Sequence, residues 1–362
     1  MGVLVLRPED HFGLLRFSEG VDMMRAGFED FARSPVILSN PRTRTITPEG
    51  FRMTVHQGVS PSRRGACTSG RGERVQILPQ GQQKYPGRGR PVFSLFDTET
   101  ANLLMVMIGE PRAKGYEEYF ATAGYHTACA AVVGTNMMAR PDATRVGLLG
   151  SGGQAIMHLA ALAETRSISQ AVVYSPTPAN REKFARDMQV KLGFPIQSVQ
   201  SSDEVLETAE ILLVCTNSNQ PVLDGRKLRP GTHITSIVHS NKELLHAGVV
   251  KKMRQEIDDE TLRRSDLTVT TNMAQEELDQ PEVLFGAMQR GVIARDRIRE
   301  VKDLINGKVS LSEVHARRGI TFFKNAAGWG IGAGALFRGF YDRARETGVG
   351  IDLGIDGLET TY

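Results

Sequence analysis

The chain has 362 residues, 40% of them hydrophobic and 23% charged, the balance of a globular domain rather than of a disordered one. At ~150 residues per domain, that length points to two domains. With 44 basic against 41 acidic residues the net charge is +3, too even for general nucleic-acid binding. In chain order, a helix is expected over Ser18–Arg33. Four strand-like runs follow, Phe51–His56, Arg74–Leu78, Pro91–Phe96 and Asn102–Ile108, separated by Gly, Pro and Asp turns as in a mainly antiparallel sheet. The basic, glycine-rich stretch Arg63–Arg90 reads as a solvated loop, with steering of an anionic substrate as its functional alternative.

From Val146 the texture changes. The apolar runs Val146–Leu149, Ala171–Tyr174, Ile211–Cys215, His233–Val238 and Leu267–Thr270 alternate with helical patterns. Parallel strands need crossover helices, so this alternation reads as a doubly wound parallel sheet. The last segment holds Thr321–Asn325, a glycine-rich run Gly328–Gly334 and a helix over Ala335–Glu346. No stretch approaches the ~18 apolar residues of a membrane span, and the short apolar start leads into Glu9 and Asp10 without a cleavage site, so a cytoplasmic protein is expected. Cys67, Cys129 and Cys215 are odd in number and far apart, which argues against a disulfide framework and against a metal site.

The strand Val146–Leu149 runs straight into Gly150-Ser151-Gly152-Gly153-Gln154-Ala155. A glycine turn often serves packing alone. Here a helix follows in which Ile156, Leu159, Ala160, Leu162 and Ala163 share one face, and a second strand comes after it, which is the context a dinucleotide site requires. Orphan N–H groups and the helix dipole at such a turn favour a pyrophosphate. The expected fold is therefore α/β: a central Rossmann-type domain over residues 127–304, inserted in a discontinuous α+β domain of residues 1–126 and 305–362, with the cleft between them as catalytic site. After the second strand, Tyr174 to Arg181 contains no carboxylate to repel a 2′-phosphate. Ser175 and Thr177 offer hydroxyls and Arg181 a guanidinium, so NADPH is the expected cofactor, with NADH possible. Ser175 and Thr177 can also simply cap the next helix. Cys215, Thr216 and Asn217 are expected along the ribose and nicotinamide path, with Ile237 and Asn325 as further contacts.

Three segments, His126-Thr127-Ala128-Cys129, Gly150–Ala155 and Phe323-Lys324-Asn325-Ala326-Ala327-Gly328, make the chain resemble the ornithine cyclodeaminase and mu-crystallin family. That family typically shows Arg-Thr-Ala-Ala, then Gly-x-Gly-x-Gln-Ala, then a late Phe-Lys-Ser-x-Gly. The resemblance runs from about Ser18 to Gly350 and implies an NAD(P)-dependent, homodimeric enzyme acting on a 2-imino, 2-oxo or 2-amino acid.

Reducing an imino acid asks for a cation at the carboxylate and a proton for the nitrogen. A bidentate arginine suits the first task. Arg42, Arg44 and Arg52 are available, of which Arg44 best matches the family's substrate-binding arginine. Arg52, Thr54 and His56 alternate along one strand and share a face, which is otherwise a solvated sheet face. Three positions depart from the family: His126 stands for its arginine, Cys67 for its lysine, and His239-Ser240 carries no counterpart of its deaminating aspartate. His126, with an ordinary pKa of ~6.5, is expected to bind an anion or donate a proton, unless it merely satisfies a carbonyl. Thr127 fits a pyrophosphate contact, and His239, at the end of a parallel strand, is a second general-acid candidate. Cys67 is a catalytic candidate whose plainer reading is a buried small hydrophobe. Gly328–Gly334 suits close backbone packing, with Trp329 as pocket wall or core. The expected function is NADPH-dependent reduction of an imino or oxo acid. The alternatives are a cyclodeaminase using tightly bound NAD, and a non-catalytic NADPH-binding protein or accessory subunit of an amine-oxidising system.

Overall fold

The computed structural model describes residues 2–34, 36–77, 83–239, 242–326 and 328–358. It begins with β1 (Leu4–Leu6), α1 (Phe17–Arg33), β2 (Thr43–Ile46), β3 (Phe51–Ser60), β4 (Gly65–Ile77), β5 (Gln83–Arg88), β6 (Val92–Phe96) and β7 (Leu103–Ile108). Next come α2 (Gly124–Met138), β8 (Arg145–Leu149), α3 (Gly153–Thr165), β9 (Gln170–Tyr174), α4 (Pro178–Leu192), β10 (Ile196–Ser198), β11 (Ile211–Val214) and β12 (His233–Ser236). The rest holds α5 (Lys242–His246), β13 (Leu267–Thr270), β14 (Ile298–Glu300), β15 (Thr321–Lys324), α6 (Ala333–Thr347) and β16 (Ile351–Asp352). No helix among the described residues is long and apolar enough to cross a membrane.

Contacts divide the chain into one unit of Met1–Ala130, Lys242–Lys252 and Gly328–Tyr362, and another of Ala131–Asn241 and Met253–Ala327. This division departs from the expected one in three places. Residues 305–327 belong with the parallel sheet, because β15 pairs with both β12 and β13. Residues 242–252 belong with the antiparallel unit, because Leu244 and Val250 are buried against Val75. The first boundary falls inside α2, after Ala130.

In the first unit the strand order is β16-β1-β7-β6-β4-β3-β2, with β5 added to β4. Pairing is antiparallel except between β1 and β7. Arg63–Arg90 is thus no simple loop: Pro61–Arg63 forms one helical turn, and the glycine-rich run extends β4. Its backbone ladder with β3 outweighs the weak strand preference of glycine, with Gly70 opposite Val55 and Gly72 opposite Met53. The tip, residues 78–82, lies outside the described residues. In α1, Phe17, Val21, Met24 and Phe28 recur every three or four positions and are buried, which gives the helix one apolar stripe. Helix α6 contacts α1, β3 and β4 and buries Leu336, Phe337 and Phe340 completely. The run Gly328–Gly334 packs tightly here: a methyl at Gly58 of β3 would lie 1.9 Å from the Gly330 carbonyl oxygen.

Register decides what the inner face of that sheet carries. Because side chains alternate, buried Arg52, Thr54 and Ser60 share a face of β3 with His56, and Cys67, Ser69, Arg71 and Glu73 share a face of β4. The ladder sets Arg52 opposite Glu73, Thr54 opposite Arg71 and His56 opposite Ser69. Arg44 of β2 stands opposite Thr54.

The second unit is an all-parallel sheet in the order β10-β9-β8-β11-β12-β15-β13-β14. Its central strands are buried on both faces, as Ile211–Val214 and Leu267–Thr270 illustrate. A core of Leu149, Val172, Leu212, Ile234 and Phe322 lies on one face. Buried His233 is satisfied by Thr321 and Thr235 hydroxyls at 2.8 and 2.9 Å. Strand β8 pairs with β9 on one side and β11 on the other, so the chain order reverses there.

Candidate functional site

The glycine turn lies where the chain order reverses, the place where open α/β sheets bind ligands. Strand β8 ends at Leu149, whose carbonyl accepts the Cys215 N–H at 2.9 Å, and Gly150 donates to the Tyr174 carbonyl at 2.8 Å. Gly150 has φ +107, and a Cβ there would stand 2.4 Å from the Cys215 carbonyl oxygen. Gly152 differs: it caps α3 with φ −86, and nothing lies within 4 Å of a Cβ built on it. The first turn of α3 closes where the Ile156 N–H bonds the Gly152 carbonyl at 3.2 Å, and Ala155 is fully buried and seats the helix. Bare backbone, open space and a helix N-terminus together fit a pyrophosphate.

At the ribose end, the Ser151 and Ser175 hydroxyls lie 2.7 Å apart. Thr177 occupies the N-cap of α4 without a side-chain cap bond. Arg181 does not serve as the expected free guanidinium. It is buried, donating to the Ser175 carbonyl at 2.9 Å and to Gln200 Oε1 at 2.6 Å, so its charge is turned into the protein.

Beyond β11, the Cys215 thiol is pushed well up by burial and then by Glu256. Thr216 gives both its N–H and its hydroxyl to Glu256 Oε2, at 3.0 and 2.8 Å. Asn217 follows, and Ile237 is buried after β12. Asn325 corrects an expectation: its side chain is buried and accepts from the Thr271 hydroxyl, while its N–H bonds the Ser236 carbonyl, so it closes the sheet from within. His239 is half-buried and lies just beyond β12; Ser240 falls outside the described residues. Sequence reasoning passes over Glu256, which is buried and belongs to no spacing pattern, and it quotes the equally buried Lys324 only within the Phe323–Gly328 motif, without a role.

In the first unit the arginines are engaged. Arg52 bonds Glu73 with Nη2–Oε2 2.5 Å, and Glu243 on α5 reaches Arg44 at 3.0 Å and Arg52 at 3.4 Å. Arg71 pairs with Glu110 and lies 3.6 Å from Glu73. Burial pushes the Glu73 carboxyl up, but Arg52, Arg71 and Arg88 outweigh it and hold it below the usual range. Arg52 is therefore structural rather than a free carboxylate binder. Cys67 is also corrected: it is 1% exposed, and burial pushes its thiol up, so it is a core residue and no nucleophile.

His126 lies 4.3 Å from Trp329 between ring centroids, and His56 lies 4.0 Å from the same indole. Burial, and then the charge of Arg71, hold His126 down to about 3. It is neutral at neutral pH, neither the expected cation nor a ready acid. Thr127 sits in the first turn of α2, where its N–H bonds the Ala123 carbonyl. Burial likewise holds His233 to about 3 and His158 to about 4. The unfolded chain takes up these protons near pH ~6.5, so stability is full above that pH and falls as pH drops toward 3 to 4, by about 1 kcal/mol per unit per histidine. Urea titrations at stepped pH measure this, and a flat profile over the window would mean that water reaches the rings.

A model of the ornithine cyclodeaminase/mu-crystallin family matches residues 80–348. Ketimine reductase mu-crystallin of Mus musculus is 26% identical over 180 residues, 50% of each chain. Delta(1)-pyrroline-2-carboxylate reductase of Bacillus cereus is 25% identical over 277 residues, 76% of this chain and 78% of that one. The chain spans half to about three fifths of the length of the first curated relatives it matches. Among solved structures, Delta(1)-pyrroline-2-carboxylate reductase of Thermococcus litoralis, in complex with NADH and L-proline, superposes with TM-score 0.77 at 26% identity, covering 97% of this chain and 100% of that one.

Proposed function

The chain belongs to the ornithine cyclodeaminase/mu-crystallin family, and from that premise we propose that it is a nicotinamide-dependent oxidoreductase reducing the C=N bond of an imino acid, or the C=O of an oxo acid. The observation that carries the reading is the open backbone at Gly152 on the N-terminus of α3, at the reversal of strand order. The relatives named for pyrroline-2-carboxylate and ketimine reduction support this choice of chemistry. The nicotinamide supplies a hydride when bound. Gly150–Gln154 hold the pyrophosphate, and the Ser151–Ser175 hydroxyl pair takes the ribose end. We assign NADPH as the preferred donor, because no carboxylate lies between Tyr174 and Arg181.

Arg44 holds the substrate carboxylate in this reading, in exchange for Glu243. His239 is the proton donor, since His126 is neutral at working pH. Purified protein supplied with NADPH and a panel of cyclic and linear 2-imino acids tests the whole reading. Absence of NADPH oxidation with every member sinks it, and ammonia release from ornithine without net cofactor turnover replaces it with cyclodeamination. Glu243→Gln should lower the KM for the acid about five- to tenfold with kcat within about twofold, because a competing carboxylate leaves Arg44. A raised KM would mean that Glu243 itself binds substrate. We also propose a homodimer through the outer sheet face, where Phe51, Val55, Val92 and Phe96 are exposed in a row of strands. Phe96→Asp is expected to convert a dimer to monomer in sedimentation; an unchanged profile assigns the interface elsewhere.

A further inference from the structure

Glu256 is fully buried in a loop, outside every helix and strand, yet it makes four hydrogen bonds. Oε2 accepts the Thr216 N–H and hydroxyl at 3.0 and 2.8 Å; Oε1 accepts the Ser236 hydroxyl at 2.8 Å and the Val238 N–H at 3.2 Å. One carboxylate thereby ties the carboxyl ends of the adjacent strands β11 and β12. Lys324, at the end of β15, is buried too; it donates to the Val238 carbonyl, and its charge acts on Glu256. Burying a carboxylate is expensive unless every lone pair is used. This fold places one beneath the edge that Thr216, Asn217 and Ile237 form.

That edge has a defined place in a doubly wound sheet. A dinucleotide bound by the general rule for such sheets would cross the point where strand order reverses, with its pyrophosphate at α3 and its second half toward β11 and β12. We propose that Glu256 is a positioning residue for the nicotinamide half of the cofactor, fixing the backbone at Thr216–Asn217 and Ser236–Val238. Glu256 is behind that edge, not a group that reacts. The inference rests on the nicotinamide reading given above.

The test separates the two halves of the cofactor. Dissociation constants for NADPH and for 2′-phospho-ADP-ribose, which lacks the nicotinamide, are measured by calorimetry on wild type and Glu256→Gln. The amide must turn its NH₂ toward two donors, so NADPH binding is expected to weaken about 10- to 100-fold while the ADP-ribose ligand changes less than about twofold. Equal weakening of both ligands, or of neither, overturns the proposal. Ser236→Ala removes a single donor and secures the test if Glu256→Gln does not fold; it should weaken NADPH selectively by about three- to tenfold. A wild type that binds ADP-ribose but gains nothing from the nicotinamide contradicts the inference alone. A wild type that binds neither ligand contradicts the nicotinamide reading, and the inference falls with it.

Discussion

Gly150→Ala is expected to weaken NADPH binding by about 100-fold or more and to lower stability as well, whereas Gly152→Ala should weaken binding alone. The two glycines face different constraints. At Gly150 a methyl must sit 2.4 Å from a backbone carbonyl oxygen at φ +107, and the two nearest atoms are backbone atoms of Cys215, just past β11, which cannot rotate away. Left-handed strain of about 1–3 kcal/mol and overpacking of about 1–3 kcal/mol together reach about 3 kcal/mol, a factor of roughly 100. The contact opens the β8–β11 pairing if it is relieved by movement, since Cys215 N–H bonds Leu149 beside it. At Gly152 the backbone is ordinary and the space is open, so a methyl strains nothing but fills the room a phosphate oxygen needs. Fluorescence titration of NADPH beside thermal melts of both variants decides the matter. A Gly152→Ala protein that binds like wild type would remove the pyrophosphate from this turn.

Glu73→Gln is expected to lower the melting temperature of the unit that holds it by roughly 10 °C, corresponding to about 3–5 kcal/mol. Glu73 is 3% exposed and sits against Arg52 at 2.5 Å, Arg88 at 3.5 Å and Arg71 at 3.6 Å. An amide removes the charge that compensates these guanidinia and leaves Arg52 buried beside a neutral group. Glu243, more exposed and shared between Arg44 and Arg52, is expected to matter less for stability, so Glu243→Gln serves as the comparison. Calorimetric melts of the two variants measure the difference. A shift below about 2 °C for Glu73→Gln would show that water already screens the cluster.

What the sequence reveals divides along a physical line. The glycine turn is legible because its signal is local: strand, bare backbone and helix occupy one continuous stretch, and each residue's role follows from the backbone it must adopt. The class of the parallel sheet is legible for the same reason, through runs such as Ile211–Val214. The place of β15 between β12 and β13 is not, because strand order is a non-local choice that four apolar residues do not encode. Arg181 offers the same guanidinium to a phosphate or to a carbonyl, and the Ser175 carbonyl and Gln200 claim it. Glu256 bonds residues 40 and 20 positions away, and Glu243 bonds an arginine 191 positions away. Histidine protonation is likewise a property of burial, so an ordinary pKa misplaces His126.

The division of the chain also has a consequence for synthesis and dissection. The backbone passes from one unit to the other four times, after Ala130, Asn241, Lys252 and Ala327. Strands β3 and β4 are therefore complete long before α6, whose Phe337 and Phe340 fill the core beneath them, has left the ribosome. The antiparallel sheet must wait, its buried face uncovered, until α6 has been made. A fragment ending before residue 333 should accordingly be insoluble or chaperone-bound, and any permuted version that separates the first 130 residues from the last 35 gives up the helix that makes the first unit a folded body.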